Sequence, residues 1–481
     1  MTSDNGVILT VVTIYMAAML GIGYWSGKRV HHFSDFLVAG RRLPFWLATA
    51  TLFATWFGAG SCLGAAGASY TDGVMGVIAD PFAAGASLMI AGIFYVGYLR
   101  RLKLLTITDI FGKYYGAHSE IFASILMVPV YVGWLGSQIV AIGYLINFLT
   151  GMNALAGMVI GAVVILIYTW QGGMWAVSVT DFVQAIILIL GLWMIFFAVL
   201  SHVGGLGRLL QMSPSGFWDF VPAAGDYKSW WSYLGQWLTM GLGCVVGQDL
   251  IQRSLSSRTE GIAKRSAVTA GVMYIIIGLI PILLGLAGRF VLGEVNNPEM
   301  VIPQLASLYL PPLPIAFFIA ALLCAIMSSA DSSLLAACSL IVNNISRPLK
   351  PHTSSAGLLA QTRFSMVIVM ILSTVIALCV QQIYDLMINS WATLFVAIFV
   401  PVTAALYWHK ANAQAAWGSM VLGLLGWISS LIVLSQQAGG LNDEVLNQAA
   451  VVGGAASFLG YGFITLVLYD QIKPVKIASD Y

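Results

Sequence analysis

The stretch Ala325-Ile326-Met327-Ser328-Ser329-Ala330-Asp331-Ser332-Ser333 sets one carboxylate and four hydroxyls inside the apolar run 315–345. On a helix, Ala325, Ser328, Ser329 and Ser332 recur at i, i+3, i+4 and i+7, so they share one face, with Asp331 at its edge. Such a strip of oxygens suits a hard cation better than a soft one. Serine also lets membrane helices pack closely and bonds its own backbone, which would account for any one of these hydroxyls. It does not account for Asp331, because a carboxylate inside a membrane is costly and marks function by default. A second carboxylate, Asp181, stands near the start of the apolar run 178–201. There it either complements the positive end of a helix dipole or, like Asp331, needs a compensating cation or proton.

The elements that must hold these residues are membrane helices. Charged residues make up 8% of the chain and apolar residues 59%, with a mean hydropathy of +0.89; soluble domains carry about 25% charged residues. The sequence is that of an all-α polytopic membrane protein. A net charge of +2 gives no reason to expect a nucleic-acid partner. The five cysteines, at 62, 244, 324, 338 and 379, lie in apolar surroundings without disulfide or zinc spacing. No GxxxxGK[ST] pattern occurs, so ATP is not the evident energy source. The first apolar run follows Thr2-Ser3-Asp4-Asn5 rather than a basic segment, and reads as a retained helix rather than a signal peptide.

Hydropathy predicts about 13 transmembrane helices, at about 7–25, 45–70, 75–99, 120–149, 155–171, 178–201, 231–250, 266–288, 314–344, 362–382, 387–408, 414–436 and 448–469. With the N-terminus outside, only Arg208, Lys228 and Arg289 of the 21 Lys and Arg fall on the outer side. The positive-inside rule then puts the C-terminus in the cytoplasm. The outer connections 202–230 and 289–313 are expected to form short surface helices.

Two spans look interrupted. The second contains Gly58-Ala59-Gly60, and the seventh contains Gly241, Gly243 and Gly247 before Gln248 and Asp249. Glycine clusters favour a break where bare backbone lines a cavity. Two breaks five spans apart fit inverted repeats about a midplane site. This predicts a 5+5 inverted repeat. Its parts are 1–44 (extra N-terminal helix and loop), 45–202 (first repeat), 203–412 (second repeat) and 413–481 (two extra C-terminal helices and a short tail).

At this point the sequence resembles the sodium:solute symporter family over most of its length. Ala39-Gly40-Arg41-Arg42-Leu43-Pro44 is similar to one family motif, and Gly172 to Gln184 fits GGxxAVxxTDxxQ. Gln248 to Ser256 resembles the inner end of the family's sixth core helix, and Ser328-Ser329-Ala330-Asp331-Ser332 its sodium-site helix. The resemblance implies a leucine-transporter-type fold and sodium-coupled uptake by alternating access. Carried over by position, it implies a main Na+ site at the carbonyls of Ala54, Phe57 and Ala325 with the hydroxyls of Ser328 and Ser329. A second Na+ site, present in some relatives, would use Asp181, Ser328, Asp331 and Ser332. Many relatives have Ser or Thr at Asp331, so its extra charge either strengthens that second site or lets it hold a proton.

In local motifs the chain is most similar to the choline transporters of that family. Trp56 and Trp134 fall at aromatic-cage positions of that group, and a cage binds ammonium by cation–π attraction. A third cage aromatic would fall near Gly247, where this sequence has none. Asp80 is an acid absent from that group and could pair with a substrate ammonium; capping of its span is the alternative. Gln248 completes the implied substrate set.

The expected function is sodium-coupled symport of a small organic solute, an amine or zwitterion, across a bacterial inner membrane. The alternatives are a sugar or carboxylate symporter, and a transporter-like sensor acting with a separate signalling partner. No constellation suits an enzyme.

Overall fold

Long apolar runs leave the backbone no partner but itself in a bilayer, so they close into helices. The computed structural model describes residues 33–468 and, before them, residues 10, 11, 13–15, 17–19, 21, 22 and 25. Among the described residues no strand forms; a single parallel bridge joins Leu43 to Ser257. Eight described helices are long and apolar enough to cross a membrane. The first expected span is described only in part, and the tail bearing Lys473 and Lys476 lies outside the described residues.

The site is framed by α1 (Phe45–Trp56), α2 (Ala65–Asp72), α3 (Ala117–Thr150) and α4 (Ala154–Val203). They are followed by α5 (Gln248–Ser256), α6 (Glu260–Val291), α7 (Pro312–Ser339) and α8 (Ser355–Cys379). Then come α9 (Ile383–Ser390), α10 (Ala413–Ala438) and α11 (Asp443–Val467). The α7 helix is buried along nearly its whole length and packs on α3 and α4. By contrast α10 leaves Leu425, Ile428 and Ile432 exposed, a surface suited to hydrocarbon. Short helices Leu206–Gln211 and Val301–Tyr309 occupy the two connections where surface helices were expected.

Both predicted interruptions are present. After Trp56 the helical ladder ends with the N–H of Phe57 bonded to the carbonyl of Phe53. The N–H of Gly58 then turns back to Trp56 O at 2.8 Å instead of continuing to Ala54. In the other broken span, Gly247 is extended (φ −62, ψ 133) and α5 begins directly after it.

The α4 helix holds a third discontinuity, at Gly173 (φ 54, ψ −167), which separates the expected fifth and sixth spans. That conformation is nearly confined to glycine and costs another residue about 1–3 kcal/mol. A Cβ there would also lie 2.7 Å from the Phe36 ring. Gly173→Ala is therefore expected to lower the thermal unfolding temperature of the detergent-solubilised protein. An unchanged melting curve would refute this account of the joint.

Candidate cation and solute sites

The interruption in α1 lies beside the oxygen face of α7. Ser329 Oγ donates to the carbonyl of Thr55 at 2.7 Å, and Thr55 Oγ1 lies 3.2 Å from Ser332 Oγ. Close approach is possible because position 58 has no side chain: a Cβ there would meet Ser329 Cβ at 2.8 Å. Ser328 Oγ donates to Asp181 Oδ1 at 2.5 Å, and Thr51 Oγ1 donates to Asp181 Oδ2. Thus α1, α4 and α7 converge, and Asp181, Ser328, Ser329, Asp331 and Ser332 are all fully buried. A hydroxyl that donates its proton keeps lone pairs for a cation. Ser328 and Ser329 are in that condition, with their protons held by acceptors on α4 and α1. The broken ladder also deprives the Ala54 carbonyl of its helical partner. Ala54, Phe57 and Ala325 are buried on these same elements.

Arg253 lies beyond the predicted span 231–250, yet the structure buries it. It is fully buried within α5, because the break at Gly247 starts a new half-helix that carries the chain to Ser256. Its Nε donates to Thr51 Oγ1 at 3.2 Å, its Nη1 to Asp249 O at 3.1 Å, and its Nη2 to Ser332 Oγ.

The expected solute residues divide. Trp56, Asp80 and Trp134 line one small cavity of about 10 Å³ together with Cys244, Tyr274 and Trp391. That is room for about one water, so a solute must part the rings. Trp391 supplies the aromatic that position 247 lacks: a Cβ on Gly247 would lie 3.3 Å from its ring. Its ring centroid is 6.0 Å from that of Trp56 and 5.1 Å from that of Trp134. Asp249 fixes the orientation of Trp56 by accepting its indole N–H, and takes a second bond from Tyr131 OH at 3.1 Å. Asp80 is 1% exposed. Ser61 Oγ donates to its Oδ2 at 2.7 Å, and Tyr274 OH donates to the same oxygen at 3.1 Å. Its Oδ1 is buried with no hydrogen-bond partner among the described residues.

Gln248, expected to face the solute, is not among the lining residues of that cavity. Its Oε1 accepts from the N–H of Ile107 at 2.8 Å, and its Nε2 donates to Ser339 Oγ at 3.0 Å. It is a cross-link between α5, the 102–108 loop and α7. A side-chain amide reads alike in both roles, so sequence alone could not separate them.

The two ends of the bundle differ. At one end a cavity of about 820 Å³ is lined by Asp72, Glu299 and Asp443 with no Lys or Arg among its lining residues. Its wall includes Ala79, the neighbour of Asp80. The other end is basic and tied together. Arg100 Nε donates to Ser257 O at 2.9 Å, and Arg101 pairs with Glu260 at 2.7 Å. There Asp109 Oδ1 accepts from Asn343 Nδ2 and Asn344 Nδ2, each at 2.7 Å. Asn344 also donates to Glu120 Oε1 at 2.6 Å and accepts from Thr106 Oγ1 at 2.7 Å.

Two broken helices that meet at oxygen-rich and indole-rich pockets, with a cavity of about 820 Å³ at one end, define a secondary transporter. The chain belongs to the sodium:solute symporter family, whose profile matches residues 36–423. Among its relatives is the high-affinity choline transporter 1 of Caenorhabditis elegans, 27% identical over 87% of this chain and 76% of that one. Another is the sodium/pantothenate symporter of Haemophilus influenzae, 24% identical over 98% and 97%. A Na+-coupled sialic acid symporter in a substrate-bound outward-open state superposes with a TM-score of 0.80. It is 21% identical and covers 98% of this chain and 99% of its own. The chain is thus an integral, multi-pass membrane transporter, not an enzyme, and its coupling ion is sodium.

Proposed function

We propose that this symporter moves a small organic cation, a protonated amine or a zwitterion bearing an ammonium group, together with sodium by alternating access. The observation that carries this reading is Asp80: a buried carboxylate with one unpartnered oxygen, lining a cavity with three indoles. A buried carboxylate without a full set of partners is costly, and an ammonium N–H would satisfy it. The indole faces of Trp56, Trp134 and Trp391 would take the rest of the cationic charge. The acidic lining of the wide cavity would concentrate cations at its mouth. The choline specificity named for one relative is a further support, since choline is itself an ammonium.

The main sodium site is assigned to the carbonyls of Ala54, Phe57 and Ala325 and the hydroxyls of Ser328 and Ser329. Sodium there would bridge the broken α1 to α7, next to Trp56, so that filling one site shapes the other. Asp181 acts through Ser328, holding its proton away from the ion. The solute then enters from the acidic end, and the basic end opens to release both. The helices are assigned to 13 spans in a 5+5 inverted repeat of 45–202 and 203–412, flanked by 1–44 and 413–481. The N-terminus faces outward and the C-terminus the cytoplasm of a bacterial inner membrane.

The test is uptake into proteoliposomes, with and without a sodium gradient, of ammonium solutes and neutral or anionic ones of equal size. Sodium-driven uptake confined to sugars or carboxylates would reject the cation reading. Within that assay, Trp56→Phe and Trp391→Phe should keep much of the affinity, whereas Trp56→Leu and Trp391→Leu should lose roughly 30-fold each. That follows from a partly desolvated cation–π contact of about 2 kcal/mol. Equal affinities for the Phe and Leu variants would remove the cage from the argument.

A further inference from the structure

The second sodium site expected at Asp181, Ser328, Asp331 and Ser332 is crowded by this chain's own cation. Three carboxylates, Asp181, Asp249 and Asp331, and one guanidinium, Arg253, are all fully buried at the meeting of α1, α4, α5 and α7. Arg253 reaches each carboxylate-bearing element: Asp181 through Thr51, α5 through the Asp249 carbonyl, and α7 through Ser332.

Ser332 is the decisive atom. A serine hydroxyl has one proton and two lone pairs. Ser332 Oγ donates to the Ser328 carbonyl at 2.5 Å, with Asp331 Oδ1 3.1 Å away as an alternative acceptor. One lone pair accepts Arg253 Nη2, and Thr55 Oγ1 lies 3.2 Å away. Ser332 has at most one lone pair to offer an ion, the one that Thr55 Oγ1 also approaches. An ion sharing this oxygen with the guanidinium would also be repelled at short range in a low dielectric. Asp181 Oδ1 and Oδ2 each accept one hydrogen bond, from Ser328 and Thr51, which leaves the carboxylate charge to be balanced from outside that pair. None of this obstructs the main site: the partners of Ser329 and Ser328 leave lone pairs on both.

We propose that Arg253 is a tethered cation standing in for a second sodium ion at Asp181, Asp331 and Ser332, so that the chain binds one sodium. The guanidinium performs, at no ionic cost per cycle, the charge compensation that a second ion would supply. It is a positioning residue rather than a ligand, and it makes coupling stoichiometry a property of α5. This rests on sodium coupling alone and not on the identity of the solute.

The test is equilibrium binding of radioactive sodium to the purified, full-length protein in nanodiscs, without solute. The wild type should bind one sodium per chain with a Hill coefficient of about 1. Arg253→Gln removes the charge and frees Ser332, and should bind two sodium ions per chain. Arg253→Lys keeps a cation on α5 and should remain at one. Two ions bound by the wild type would overturn the proposal without any variant. So would a monodisperse Arg253→Gln protein that still binds one. Should Arg253→Gln fail to fold, the wild-type stoichiometry decides by itself. A wild type that binds one ion but carries no amine in uptake would leave this inference standing and reject only the solute.

Discussion

Ser328→Ala is expected to raise the sodium concentration for half-maximal uptake by at least about tenfold, while the protein still reaches the membrane. Two losses combine. One of five assigned oxygens disappears, and Asp181 Oδ1 loses its 2.5 Å donor. A hydrogen bond to a charged group is worth about 1.5–3 kcal/mol, and each 1.4 kcal/mol is tenfold. The measurement is a sodium titration of initial uptake rate in proteoliposomes at saturating solute. Ser333→Ala is the matched control, since among the described residues Ser333 Oγ donates only to the Ala330 carbonyl of its own helix. Sodium dependence unchanged in Ser328→Ala would sink the assignment of the main site.

Asp80→Asn should weaken a cationic solute by about 10- to 100-fold, because it exchanges a charge-assisted bond for a neutral one at a buried position. Neutral competitors should shift by no more than about twofold on the same reasoning. The sodium titration should hold, because Asp80 bonds to Ser61 and Tyr274 rather than to the oxygens near Ser328. The comparison is competition by matched charged and uncharged solutes in one preparation. A silent Asp80→Asn would leave sodium-coupled symport intact and take away its amine substrate.

How much of this was legible depends on whether a feature is local in the chain. The register of Ser328, Ser329 and Ser332 follows from helical spacing, and the breaks at Gly58 and Gly247 follow from glycine clusters. Each is settled within a few residues. The juxtaposition of Asp181 with Ser328 came only through family resemblance, since the two lie on helices far apart in sequence. Trp391 was invisible for a related reason. A cage closes by contact across the bundle, and the bare backbone at Gly247 is the space that ring fills. Arg253 falls beyond the predicted span 231–250 because hydropathy assumes that a span ends where its apolar run ends. A half-helix with its own polar core violates that assumption. Gln248 erred the other way, a polar side chain near the expected site that is spent on cross-linking.

The seal at the basic end has a consequence for how often it can open. Asp109, directly after the 102–108 loop, also accepts from the N–H groups of Leu105 and Thr106 at 2.7 and 3.1 Å, which fixes the loop's own shape. What joins it to the far wall is the set of bonds to Asn343, Asn344 and Gln248. Water can replace each of those at a net cost of about 0.5–1.5 kcal/mol, or about 1.5–3 kcal/mol where the acceptor is the Asp109 carboxylate. A seal of packed leucines would instead expose apolar surface at about 25 cal/mol per Å² with every swing. Zipped by amides and carboxylates, this end can be wetted and dried repeatedly with little penalty in either direction. On the alternating access proposed above, such a door would be reopened by hydration, which suits a machine that must return empty after every load.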